Sequence, residues 1–343
     1  MRLFLLYIKE RLAWILFFSF LQLWLNILLT LDVNFTNTSI LYMNSTNLLL
    51  FLVFFLWRYF RETKFIKNVL KVNRGDSTFD QLIARLPDGQ SLFDKMMMDE
   101  IQEIILSGKH ELNGSHILFL EEKDQTLSWI HEMKTPLTSM KLMIDNVEDS
   151  ILKKQLEVEW LRMHMLLDQQ LHKTRLPFIE KDNVIEKVNL QKVIFREIKE
   201  LKPWCMQRNI GFETEGLDKT TLTDHKWLAF IVRQIISNAV KYSKEHKDIH
   251  ISTTTDSLGH LVLSIKDEGV GISQADLPRI FEKSFTGRVG RESAASTGMG
   301  LYLAKNSAEK LGINITVTSE IGVGSTFSLQ FPIQNEMQEI LGR

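Results

Sequence analysis

The chain has 343 residues, with 41 basic and 42 acidic side chains and a formal net charge of −1. That balance gives no electrostatic case for nucleic acid or an acidic substrate, and the length suits two or three compact units. The single cysteine, Cys205, excludes an internal disulfide and a cysteine-built zinc site, and reads as a small buried hydrophobe.

Two apolar runs open the chain. "LAWILFFSFLQLWLNILLTL" covers residues 12–31 and "SILYMNSTNLLLFLVFFLW" covers residues 39–57. Each approaches the ~20 residues that cross a bilayer core as a helix. Between residues 12 and 57 there is no Lys or Arg, and Asp32 is the only charge. Arg2, Lys9 and Arg11 precede the first run, and Arg58, Arg61, Lys64 and Lys67 follow the second. By the positive-inside rule both termini are cytoplasmic, with Trp14, Trp57 and Tyr59 at the interfaces. The first run is longer than a signal-peptide core and no A-x-A site follows it, so it reads as an uncleaved anchor. Asn44, Ser45, Thr46 and Asn47 interrupt the second run, and the short sequons at Asn34, Asn37 and Asn44 carry little weight. Only residues 32–38 would lie outside, too few for a folded sensor domain.

Residues 58–115 read as a cytoplasmic linker after a membrane domain of residues 1–57. Turn signals stand at Asn73-Arg74-Gly75 and Pro87-Asp88-Gly89. A helix is expected over residues 95–105, "KMMMDEIQEII", with its methionines as packing surface.

Residues 116–177 carry a sharper pattern. Leu127, Ile130, Met133, Leu137, Met140, Ile144 and Val147 recur at three- and four-residue steps. After a break at Glu148-Asp149-Ser150, the pattern resumes with Leu152, Leu156, Trp160, Met163 and Leu167. This is a helical hairpin with a narrow apolar stripe. Two such hairpins complete a four-helix bundle; a monomeric hairpin packed on another domain is the alternative. In "SWIHEMKTPLTSM", His131 follows the seam residue Ile130 by one position and so faces out of the bundle. Pro136 lacks an N–H and crowds the carbonyl of Glu132, so a bend is expected just after the histidine.

Residues 186–333 have mixed α/β texture. In "TTLTDHKWLAFIVRQIISNAVKYS" a short strand leads to a helix starting near His225, which places Gln234, Asn238, Lys241 and Tyr242 on one face. In "HLVLSIKDEGVGI" a strand with Leu261, Leu263 and Ile265 alternating ends at Asp267, followed by Gly269 and Gly271. A carboxylate there can accept from an exocyclic amine, and glycines let backbone approach a ligand. Further on, a small, polar, basic loop feeds Gly298-Met299-Gly300 at a helix start, a setting that binds phosphate through free N–H groups. Strands over 313–317 and 326–331 close the segment.

In that order and spacing, the chain resembles the membrane sensor histidine kinases. "HEMKTP" is similar to their H-box, "NAVKYS" to the N-box, "DEGVGI" to the G1 box, "FEKSF" to the F-box and "TGMGLYLAK" to the G2 box. The resemblance covers residues 118–332. Two spans with almost no outer loop resemble the intramembrane-sensing subgroup of bacterial plasma-membrane kinases, associated with antimicrobial-peptide response and partnered by ABC transporters. The resemblance implies a multidomain chain: two transmembrane helices, a dimeric helical hairpin, and an α/β sandwich ATP-binding domain of the GHKL type. It also implies phosphorelay to a cytoplasmic response regulator. His131 would accept the γ-phosphoryl group of ATP, Glu132 its ring proton, and Thr135 would orient water for dephosphorylating the regulator. Asn238 would hold Mg²⁺, Lys241 and Tyr242 would line the phosphates, and Asp267 would read adenine. Gly269, Gly271, Gly298 and Gly300 would shape the pocket and its mobile lid. The sequence departs at Gln234, where the commonest N-box has asparagine; its carbonyl oxygen leaves its place as a second Mg²⁺ ligand open. A non-kinase ATPase of the same nucleotide fold and a catalytically dead membrane scaffold are the alternatives. The hairpin bearing His131 and Glu132 argues against the first, and Asn238, Asp267 and the glycines against the second.

Overall fold

The computed structural model describes residues 2–31, 37–72, 79–88, 92–287 and 297–333. The chain divides into two compact units, residues 1–119 and 120–343.

The first unit opens with α1 (Arg2–Glu10), α2 (Leu12–Thr30) and α3 (Asn37–Val72). Two stretches are long and apolar enough to cross a bilayer, Leu12–Thr30 and Ile40–Leu70, with mean hydropathy 2.0 and 1.7. The polar residues that interrupt the second run find partners across the helix pair. Asn44 Nδ2 donates to Asn26 Oδ1 at 2.9 Å, and the Gln22 amide donates to Asn44 Oδ1. An amide without a partner is costly in hydrocarbon, so the pairing explains how Asn44 sits inside an apolar run. At the other end, Glu62 takes Arg11 at 3.0 Å and Arg58 at 2.6 Å. Tyr7 of α1 is buried between the rings of Phe55 and Tyr59.

The expected boundary at residue 57 is not a helix end. α3 continues to Val72, because nothing after Trp57 breaks it and the Arg58–Glu62 pair at i,i+4 supports the turn. The turn expected at residues 73–75 lies outside the described residues, as does Gly89. Pro87 and Asp88 follow α4 (Phe79–Ala84) in non-helical chain. The helix expected over 95–105 and the first hairpin helix are one element, α5 (Leu92–Asp145). No proline stands between Leu92 and Thr135, and its methionines, leucines, glutamates and lysines are good helix formers.

In the second unit, α5 returns as α6 (Ser150–Arg175). Asp149 stops and restarts the chain: its carboxylate accepts from the N–H groups of Ile151 at 2.8 Å and Leu152 at 3.1 Å, an N-cap. Two polar contacts tie the hairpin. Trp160 Nε1 donates to the Leu137 carbonyl at 2.8 Å, and Lys141 Nζ meets Glu157 Oε1 at 2.9 Å. Ile130, Leu137 and Ile144, seven residues apart, are buried, while Met133 and Met140 of the same seam are exposed. On α6 the buried leucines are Leu161 and Leu171, neither on the expected stripe, and Leu152, Leu156 and Met163 stay exposed. The reason is that α6 turns a second face to the α/β domain, where Leu161 joins its core.

A 3-10 turn (Leu176–Phe178) and α7 (Ile179–Asp182) lead into that domain. It contains β1 (Ile185–Asn189), α8 (Leu190–Glu200), α9 (Lys202–Arg208), β2 (Gly211–Glu215), β3 (Thr220–Asp224) and α10 (His225–Tyr242). After them come β4 (Asp248–Thr255), β5 (Leu261–Asp267), α11 (Gly300–Lys310), β6 (Asn314–Glu320) and β7 (Gly324–Gln330). Strands β1 and β3 form a small antiparallel pair. The main sheet runs β2-β4-β5-β7-β6, with β2 and β4 parallel and the other neighbours antiparallel. Leu263 and Ile265 of β5 point into the core and are fully buried, against Leu228, Ile231 and Ile235 of α10. Helices α8 and α11 flank α10 over the same core, making a two-layer α/β sandwich. Asp224 caps α10 through the N–H groups of Lys226 and Trp227, at 2.8 and 3.0 Å.

Candidate nucleotide and phosphotransfer site

His131 lies one residue past the fully buried Ile130 and is itself exposed. The ~100° step of a helix turns its imidazole away from the hairpin interior. Glu132 is exposed too, and its carboxylate accepts from Ser128 Oγ at 3.3 Å, one turn back, with no hydrogen bond to the ring of His131 among the described residues. Thr135 is exposed one turn ahead of His131. Its carbonyl accepts from Ser139 Oγ at 3.2 Å, and Thr138 Oγ1 donates to the Lys134 carbonyl at 2.8 Å. Such back-bonding hydroxyls loosen a helix locally. The bend expected at Pro136 does not interrupt α5, which runs helical through the proline.

The second half of the site is built on α10 and the ends of β5 and α11. Gln234 is buried, while Asn238, Lys241 and Tyr242 are half-buried along one side of α10. Burial, with the charge of Arg162 nearby, lowers the pKa of Lys241 below its ordinary value. Its Nζ lies 5.3 Å from the ring centre of Tyr242. Gly300 opens α11 directly against α10: a Cβ there would stand 2.4 Å from Gln234 Oε1. That contact joins the two segments that the sequence separates most widely.

Asp267 ends β5 with 4% of its surface exposed. Its Oδ1 accepts from the Gly269 N–H at 2.9 Å and the Ser325 N–H at 3.2 Å. Burial nevertheless pushes its pKa up to about 6, because the two donors only partly offset the lost hydration. Both bonds use Oδ1, which leaves Oδ2 without a protein partner among the described residues. A carboxylate held this way suits an exocyclic amine. Gly269 bridges to Ser243 beside it, which fixes the strand end to the end of α10. Gly271 has φ +70°, and a Cβ there would lie 2.0 Å from the Glu320 carbonyl, so only glycine fits this turn. Gly298 packs against the backbone of Phe285. The basic loop between them falls mostly on residues 288–296, outside the described residues.

For a divalent cation the oxygens on hand are the amide carbonyls of Asn238 and Gln234, one turn apart on α10. Mg²⁺ is met by one or two protein groups plus phosphate and water, so this neutral pair fits it.

Sequence reading missed Arg233. Its guanidinium meets Asp168 of α6 at 2.9 Å, Glu200 of α8 at 3.3 Å, and Glu197 of α8. A signal existed: one arginine inside the otherwise apolar "FIVRQIISNAV" must find partners or leave the core. Gln169, which meets Thr297 Oγ1 at 3.2 Å, gave no signal.

Residues 223–335 match the family described as "Histidine kinase-, DNA gyrase B-, and HSP90-like ATPase". Sensor protein BceS of Halalkalibacterium halodurans is 44% identical, over 98% of each chain. Sensor protein BceS of Bacillus subtilis is 42% identical, again over 98% of each. Sensor histidine kinase GraS of Staphylococcus aureus strain Mu50 is 37% identical over 97% of this chain and 94% of that one. Among solved structures, full-length ShkA in complex with AMPPNP matches 61% of this chain and 45% of its own, at 21% identity and TM-score 0.46. Acinetobacter baumannii histidine kinase AdeS matches 60% and 98%, at 22% identity and TM-score 0.40. With whole-length relatives at such identity, and with the ATPase match lying on the domain that holds Asn238 and Asp267, the chain belongs to the sensor histidine kinases.

Proposed function

We propose that the chain transfers the γ-phosphoryl group of ATP to His131 and passes it to an aspartate of a separate response regulator. The observation that carries this reading is the exposed imidazole on the outer flank of α5, in the same compact unit as the buried carboxyl of Asp267. A neutral imidazole presents a ring nitrogen lone pair that can act as a nucleophile. One ring nitrogen attacks the γ-phosphorus. The bond from that phosphorus to the β–γ bridging oxygen breaks, and ADP leaves with the electron pair. The other ring N–H becomes acidic, and Glu132 takes its proton after its weak bond to Ser128 is given up. Thr135 orients the water that later dephosphorylates the regulator.

On this reading Asp267 accepts from the adenine amine, and Lys241 and Tyr242 line the phosphates. Gly269, Gly271, Gly298 and Gly300 let backbone close around them. Asn238 holds Mg²⁺, with the Gln234 carbonyl as the open second position; the ion, when bound, neutralises charge on the transferring oxygens. Exposed Met133, Met140, Leu152, Leu156 and Met163 support a homodimer in which two hairpins over residues 116–177 close a four-helix bundle. The ATP-binding domain covers residues 186–333. The two apolar helices, flanked by basic residues, support a bacterial plasma-membrane location with both termini cytoplasmic. A membrane ABC transporter supplies the stimulus, in cell-envelope stress or antimicrobial-peptide response.

Full-length protein incubated with γ-labelled ATP should acquire acid-labile label that His131→Gln abolishes. Label persisting in that variant would defeat the assignment.

A further inference from the structure

Asp168 and Gln169 are neighbours on α6, and between them they reach both walls of the proposed nucleotide site. Asp168 Oδ2 lies 2.9 Å from Arg233 Nη1. Arg233 immediately precedes Gln234 on α10, and its side chain is 11% exposed. Glu197 and Glu200 of α8 fill its remaining directions. On the opposite wall, Gln169 Oε1 accepts from Thr297 Oγ1 at 3.2 Å. A Cβ on Gly300 would stand 2.4 Å from Gln234 Oε1 and 3.5 Å from Gln169 Nε2, so both amides crowd the same side of that glycine. One turn of the hairpin therefore grips α10 by charge and the start of α11 by hydrogen bonding.

We propose that Asp168 and Gln169 are positioning residues that dock the nucleotide domain on α6, and that this docked arrangement competes with nucleotide. The inference rests on the nucleotide site proposed above. Phosphates entering between α10 and the Gly298–Gly300 turn need the space and polar groups that Gln169 now engages. A ligand that binds only the released arrangement has its apparent affinity reduced by the fraction released. Nucleotide binding then frees the domain from α6, which a domain that must reach His131 requires. The Asp168–Arg233 pair suits a reversible hold. Its loss leaves Arg233 still paired with two carboxylates, so no buried charge is orphaned when the domain lifts away.

The test uses the full-length chain in detergent, with a fluorescent ATP analogue for affinity and labelled ATP for steady-state autophosphorylation. Asp168→Asn and Gln169→Ala should each tighten analogue binding, by roughly five-fold. In phosphorylation the gain should fall mainly in KM, a split that general loosening of the fold would not give. Circular dichroism confirms that the variants are folded; both positions sit on α6 outside its buried leucines. If both variants bind the analogue as the parent does, or more weakly, while Asn238→Ala abolishes binding, the docking proposal is overturned and the nucleotide site stands. If Asn238→Ala binds as the parent does, the site reading falls and the proposal falls with it.

Discussion

At Asp267 one carboxyl carries two opposed pH effects. Its pKa is pushed up to about 6 from an ordinary 3.8 by burial. Between those values the folded state holds a proton that the unfolded state has released. The contribution to stability is therefore present below about pH 4 and lost as pH rises through about 6. Nucleotide binding runs the other way, because the proposed acceptor for the adenine amine is the ionised form. Titration of the full-length chain with a fluorescent ATP analogue should show affinity rising between pH 5 and 7. Asp267→Asn should flatten that profile at low affinity, and over pH 4 to 6 it should remove part of the fall in melting temperature. A parallel profile in the variant would remove Asp267 from the site. The sequence alone showed an aspartate ending an alternating strand before two glycines, a weak signal by itself, and its proposed role came from the resemblance of the ordered boxes. The second donor to Asp267 was not legible there. Ser325 lies 58 residues further on and becomes a neighbour only through the register of β5 on β7.

Among the elements, α5 and α6 show how far periodicity reaches. The three- and four-residue steps located both helices and the outward place of His131, because spacing alone sets which face a residue takes. They did not say which partner each face meets. Ile130, Leu137 and Ile144 are buried within one chain, whereas Met133 and Met140 are left exposed. Leu161 escaped notice because α6 packs on the nucleotide domain as well as on α5. The exposed pair gives an element-scale test. Met140→Glu, read by analytical ultracentrifugation in detergent, should weaken the proposed dimer at least tenfold while leaving ATP-analogue binding intact; an unchanged dimer would place the contact elsewhere. Pro136 gives another. Replacing a mid-helix proline with alanine should stiffen α5 by roughly 3 kcal/mol. Here the proline sits one turn after His131, beside hydroxyls that already bond backward to Lys134 and Thr135. Pro136→Ala should raise thermal stability and slow both autophosphorylation and regulator dephosphorylation. If both rates hold, the proline has no part in the chemistry.

For the whole molecule, the apolar runs were plain in the sequence, but the length of α3 was not. Charges after Trp57 look like a boundary, yet Arg58 and Glu62 pair along the helix and Arg11 joins them from the start of α2. The helix therefore leaves the apolar stretch without a stop. Inside that stretch, the amides of Gln22, Asn26 and Asn44 bond to one another. The Gln22, Asn26 and Asn44 amides thus partner one another between α2 and α3, and the segment joining the two helices is only a few residues long. The joining segment carries a single carboxylate, Asp32, which is little charge to attract a cationic peptide. On the proposed reading, the chain reconstituted alone in liposomes should autophosphorylate at a rate that peptide does not change, and a response should require the proposed ABC transporter in the same bilayer. If the isolated chain responded to peptide at concentrations that leave the liposomes intact, the stimulus would have to enter through α2 and α3 themselves. The Gln22–Asn44 contact would then be the first place to look, and Gln22→Leu should abolish the response.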